Sequence, residues 1–231
     1  MEVDEVQRIR DSYRRRTQTY DPWEPWIVST REERERRFIE VLRAAGMFPP
    51  YDRTLLDVGC GTGSNLLFFL RLGFVPENLH GIDLLTDRVD AARALLPRQV
   101  TVAPSEASAY EGAPNAFDIA FQSMLFSSVL DVEMRQRIAD NMWRMVRPGG
   151  GVLWYDFTWS NPQNPDVRGV PVSEIARLFP RGRLMRTRAT LAPPIARIVG
   201  RYCPRAYGVI NILPLLRTHV VAWIEKPSNP V

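Results

Sequence analysis

The chain has 231 residues, 45% of them hydrophobic, which suits one domain of ordinary to large size with a full core. No stretch approaches the roughly 20 apolar residues of a membrane span, and the charged start MEVDEVQRIRDSYRRRTQTY lacks the apolar run of a secretory leader. A net charge of +4 admits RNA or a membrane surface as partner, but 30 basic residues face 26 acidic ones and Lys226 is the only lysine, so the excess reads as an arginine-rich composition.

The two cysteines, Cys60 and Cys203, form no disulfide framework, so reduced thiols and a cytoplasmic location are expected. Residues 4–16 put Val6, Ile9 and Tyr13 at helical spacing. The proline- and aromatic-rich stretch 20–30 reads as irregular, and a polar helix from residue 31 runs to its stop signal at Gly46. Residues 54–58, 78–83, 99–103, 117–121 and 151–157 read as strands, separated by helices over 64–72, 87–96 and 131–146, the last ended by "RPGG". A short helix near 173–179 and strands near 184–191 and 217–224 follow, with a helical cover between those two strands. Such alternation predicts an α/β fold, a Rossmann-like doubly wound sheet with helices on both faces. Residues 1–50 read as an N-terminal helical and aromatic lid segment, and residues 51–231 as the α/β domain.

The stretch "LLDVGCGTGSNLLFFL" joins an apolar strand to an apolar helix through Gly59, Gly61 and Gly63. A kinase-type phosphate loop needs a lysine after its glycines; Ser64, Asn65 and Leu66 stand here instead. A dinucleotide turn is closer, because Asp83 ends the next strand where a carboxylate would bind a ribose. The spacing is Gly-Cys-Gly-Thr-Gly, however, and Asp57 lies where it would repel a pyrophosphate. A cofactor with a cationic end would welcome that acid, which fits the methionine half of S-adenosylmethionine.

"LLDVGCGTGSN" resembles the first motif of class I S-adenosylmethionine-dependent methyltransferases. "GIDLLTDRVDAAR", "FDIAFQSMLFSSVLD" and "NMWRMVRPGGGVLWYDF" resemble that family's second strand and helix, fourth strand, and following helix and fifth strand. The resemblance implies seven strands, mostly parallel, with an antiparallel last strand. It implies S-adenosyl-L-methionine as cofactor and S-adenosyl-L-homocysteine as product. Gly59, Cys60, Gly61 and Gly63 would pass close to the methionine moiety, with Asp57 near its amino group and Gln122 beside it. Asp83 would take both ribose hydroxyls, with Leu84 next to it, while Glu106 and the Ala107 amide would meet the adenine.

Methyl transfer chiefly requires alignment of the acceptor with the methyl group, and a hydroxyl acceptor also benefits from a base. Asp156 at the end of the fifth strand and His219 at the start of the last are the candidates. No metal-ligand set is visible. The acceptor pocket is expected from Asn161, Asn164 and Arg168 in "TWSNPQNPDVRGV", whose amides and guanidinium suit a hydroxyl-rich or anionic group. Tyr20, Trp23 and Trp26 either stack on an acceptor ring or staple the first helix to the core. The wider pattern resembles methyltransferases of bacterial glycan and secondary-metabolite gene clusters, so the expected acceptor is a small molecule or glycan, methylated at oxygen. An RNA or protein methyltransferase and a non-catalytic cofactor-binding module are the alternatives. The oligomeric state is left open.

Overall fold

Strand Leu55–Val58 (β1) is buried along its whole length, as the middle of a parallel sheet requires. The computed structural model, which describes residues 4–15, 21–160 and 164–228, places it third in a sheet of seven strands. The others are Leu79–Asp83 (β2), Thr101–Pro104 (β3), Phe117–Ser123 (β4), Val146–Phe157 (β5), Arg183–Leu191 (β6) and Arg217–Glu225 (β7). Their order is β3-β2-β1-β4-β5-β7-β6. The first five pair in parallel, while β7 runs antiparallel to both β5 and β6. Six strands therefore end at one edge of the sheet, and the turn from Val58 into the next helix opens at that edge.

Alternation along the strands sorts side chains into two cores. Leu56, Val58 and Trp154 pack with Ile9 of helix Glu5–Arg15 (α1), Ile138 of Val132–Met145 (α5) and Ile175 of Val172–Leu178 (α6). Leu55, Phe121 and Trp223 pack on the opposite face with helices Pro25–Ala44 (α2), Ser64–Leu72 (α3) and Thr86–Leu95 (α4), through Phe38, Phe69 and Val89. Helices Pro193–Tyr202 (α7) and Tyr207–Ile210 (α8) complete the cover between β6 and β7.

Two expectations shift. The helix foreseen from residue 31 starts at Pro25, because proline at the first helical position pre-sets the required φ, so Trp26 to Thr30 are helical. "RPGG" does not end α5 as a turn but forms the start of β5. There Gly149, at φ +79°, donates to the Lys226 carbonyl at 2.7 Å and Lys226 donates to Gly150 at 2.8 Å, so neighbouring chain supplies strand partners. The β4–β5 register shifts beside it, between Phe117 and Ile119.

Candidate active site

Gly59, Gly61 and Gly63 all hold positive φ (+79°, +56° and +84°), the left-handed region that a side chain would strain. A Cβ on Gly63 would come within 2.9 Å of Leu96, and one on Gly59 within 3.1 Å of Leu125. The turn is anchored backwards, since the amides of Gly59 and Cys60 donate to the Ile82 carbonyl at 2.8 and 2.9 Å. Cys60 is buried, and this burial pushes its thiol up, so it is an inert packing residue against Gly81.

Asp83 faces this turn from the end of β2. Its Oδ2 accepts from the Gly61 N–H at 2.8 Å and its Oδ1 from the Leu85 N–H at 2.9 Å. A carboxylate oxygen has a second lone pair, so both can still accept hydroxyls. Gly59 of the turn and Asp83 border a cleft whose wall continues through Leu84, Glu106 and Ala107. Glu106 accepts from the Ser108 hydroxyl, and Asn141 holds the Ala107 carbonyl at 2.9 Å.

Asp57 lies behind the turn, completely buried, and neither carboxylate oxygen has a hydrogen-bond partner among the described residues. Burial first, then the negative charge of Asp83, push its carboxyl well above the usual range; Arg34 opposes them. Arg34 is the cation that partly offsets them, and a further cationic group close by would favour the charged form. Gln122 is also fully buried but is committed to structure: its Nε2 donates to the Tyr155 carbonyl at 3.2 Å and its Oε1 accepts from Leu125 at 3.1 Å. It positions the Met124–Leu125 floor instead of lining the cleft itself. Met124 sits there at φ +63°, backbone strain beside a site.

The acceptor side departs further from expectation. Asp156 is completely buried, accepting from Ser127 N–H at 3.1 Å and Phe157 N–H at 2.9 Å, and burial raises it to about 7. His219 stacks on Tyr155 at 5.0 Å and pairs with the Thr218 hydroxyl at 3.0 Å. Burial, with help from the Arg34 charge, lowers it to about 3, and it borders a separate groove with Trp159, Arg186 and Arg188. An imidazole held neutral that firmly is a weak proton acceptor.

Arg168, expected to offer its fork to a ligand, donates from Nη2 alone to both Glu174 oxygens at 2.8 and 3.1 Å, and Glu174 also accepts from the fully buried Arg135 at 2.6 Å. Asn164 closes a turn on the Asp166 amide at 3.2 Å. Trp26 packs beside Gly200 of α7, and Trp23 is exposed; neither borders the cleft. Tyr20 and Asn161 lie outside the described residues.

Four contributors escaped the sequence reading. Ile9 and Tyr13 roof the cleft from α1, and Arg88 stands 4.8 Å above the Tyr13 ring centre. Arg34 lies 5.5 Å from the Tyr155 ring centre with its Nε buried and without a hydrogen bond among the described residues. The Val6, Ile9 and Tyr13 stripe was visible, but a stripe does not say which surface it covers.

A family model described as a methyltransferase domain matches residues 55–150, which span the glycine turn through the start of β5. This segment is a class I S-adenosylmethionine-dependent methyltransferase domain. Beyond the domain match, the chain is 25% identical over 114 residues to a tRNA N(3)-methylcytidine methyltransferase of Drosophila melanogaster, covering 46% of this chain and 34% of that protein. It is 28% identical over 105 residues to a thiol S-methyltransferase of Homo sapiens, covering 44% and 41%. The chain thus spans well under half the length of these curated relatives. Haemonchus contortus phosphoethanolamine N-methyltransferase 2, solved with S-adenosyl-L-methionine, superposes with a TM-score of 0.59 at 17% identity over 83% of this chain and 52% of that one, a likeness of fold. The methyltransferase domain shares its sheet order with no indication of which acceptor it serves.

Proposed function

We propose that the chain transfers a methyl group from S-adenosyl-L-methionine to a small-molecule or glycan acceptor at a hydroxyl oxygen. The observation that carries the reading is one cleft bordered by Gly59 and Asp83, with Gly61 donating to Asp83 and with Glu106 and Ala107 farther along the same wall. The cofactor supplies a methyl group on a cationic sulfur, activated for in-line displacement. The chain's part is to bind, orient and exclude water. Asp83 holds the ribose hydroxyls, Leu84 and Ala107 flank the adenine, and Glu106 accepts from its amino group. Asp57, buried and without a hydrogen-bond partner among the described residues, answers the cationic methionine end. A roof made by Ile9 and Tyr13 favours a small acceptor over a bulky folded one.

Asp156 is the proposed proton acceptor for the hydroxyl, since burial brings it to about 7, near a useful working value for a base. His219 remains a neutral, stacked neighbour. The deciding test is transfer from radiolabelled S-adenosylmethionine into a cell extract fractionated into RNA, protein and small-molecule-plus-glycan pools. Label in the last pool supports the reading. Label in RNA or protein overturns it.

A further inference from the structure

Between Ile175 and Ile224 the chain has nine arginines and no aspartate, glutamate or lysine. Since the whole chain carries only +4, the rest is net negative and the basic excess is confined to this stretch. In its middle lies a lobe, residues 193–216, built from α7, α8 and short 3-10 turns. The inner side of the lobe is a small core in which Ala196, Val199 and Tyr207 pack with Trp26.

The outer side is unlike a surface made to face water. Ile198 is 61% exposed, Tyr202 73%, Val209 69%, Ile212 67% and Leu215 89%. Single exposed apolar residues are ordinary, but this many within one short segment mark an interaction surface. Arg201 and Arg205 stand exposed among them and form no ion pair among the described residues.

We propose that this lobe docks the protein on an anionic lipid bilayer, with its apolar side chains at the acyl boundary and its arginines among headgroup phosphates. Large apolar side chains beside cations, with no acid, are the pattern of an interfacial segment. A nucleic-acid surface would use the arginines but has no use for exposed isoleucine and leucine. A second copy fits poorly, because two-fold pairing would bring arginines against arginines with no acid in the lobe to offset them. The lobe joins the end of β6 to the start of β7, so it lies at the sheet edge where the cofactor cleft opens. Docking turns that edge toward the membrane. The proposal rests on the lobe's surface alone and stands independently of methyl transfer.

The test is flotation of the full chain with vesicles of phosphatidylglycerol and phosphatidylcholine, compared with phosphatidylcholine alone, at low and high salt. Binding is expected only to the anionic vesicles and is expected to weaken with salt. Two paired variants, Ile198→Ser with Leu215→Ser and Arg201→Glu with Arg205→Glu, should each lower partitioning at least tenfold. Unchanged melting temperature and S-adenosylmethionine affinity show that the variants remain folded. No binding by the wild type, equal binding to neutral vesicles, or unaffected variants would overturn the proposal. So would a wild-type dimer in ultracentrifugation that the serine pair converts to monomer, or RNA binding abolished by the glutamate pair without any vesicle binding.

Discussion

Asp83 has two partners already in place, which makes its removal informative. Its oxygens fix the Gly61 and Leu85 amides and, in the proposed complex, accept two ribose hydroxyls as well. Asp83→Ala is expected to weaken S-adenosylmethionine at least tenfold in calorimetry, about 1.4 kcal/mol. Unchanged affinity would remove the ribose assignment. Asp156 carries a pH signature. Burial raises it from 3.8 to about 7, so between those values the native state holds a proton that the unfolded chain has released. Its stabilising contribution is therefore full in acid and is lost as pH rises through about 7. The stability of wild type relative to Asp156→Asn should fall across that window in thermal melts, and a flat difference would contradict the burial argument. Cofactor affinity in Asp156→Asn should be unchanged while turnover falls; preserved turnover would exclude it as the base. His219 has the opposite sign: its contribution is present above its ordinary value of 6.5 and is lost as pH falls toward about 3.

At the scale of elements, α1 is held over the cleft by a small clamp. Glu5 accepts from the Leu130 and Asp131 amides at 2.5 and 3.3 Å and pairs with Arg8 at 2.7 Å, while Arg8 reaches the Ser128 carbonyl at 2.6 Å. Burial alone would raise Glu5, but the Arg8 and backbone hydrogen bonds outweigh it and hold its carboxyl below the ordinary range. Replacing both residues by alanine should free the roof, speeding cofactor release several-fold in stopped-flow traces with little change in association. Equal release rates would show that α1 does not close the cleft. This clamp was invisible in sequence because its halves are separated by more than a hundred residues. The glycine turn was legible for the converse reason. Left-handed backbone is written locally as glycine, and the acid ending the next strand follows at a fixed distance. Local reading also explains the misplaced start of α2: aromatics and prolines around Trp23 and Trp26 read as loop, whereas Pro25 at the first helical position begins a helix. Arg168 was singled out because its type suits a ligand; that Glu174 and Arg135 also gather there is set by the fold, which sequence does not show.

The whole molecule depends on its first fifty residues more than their lid-like composition suggests. Phe38 is completely buried, with its ring centre 5.3 Å from Phe121, 5.7 Å from Tyr155 and 6.1 Å from Phe68, so a helix before β1 fills the core on one face of the sheet. Leu42 is equally buried beside it, and Ile9 enters the core on the opposite face. Glu33, also on α2, accepts from the Thr190 amide at 2.9 Å, where Thr190 holds the left-handed φ of +62° at the end of β6. The N-terminal segment therefore stabilises strands whose own sequence lies far downstream. A fragment of residues 51–231 would uncover both faces and leave Thr190 strained without its acceptor. Each fully buried large side chain contributes about 1.5–3 kcal/mol by burial alone, and whole domains are stable by only about 5–15 kcal/mol. The fragment is expected to lose its cooperative thermal transition, and the single substitution Phe38→Ala to cost about 3–5 kcal/mol in denaturant unfolding. A fragment that melted as sharply as the full chain would mean that the N-terminal helices only cover an already self-sufficient sheet, and the clamp at Glu5 would then be their sole tie to function.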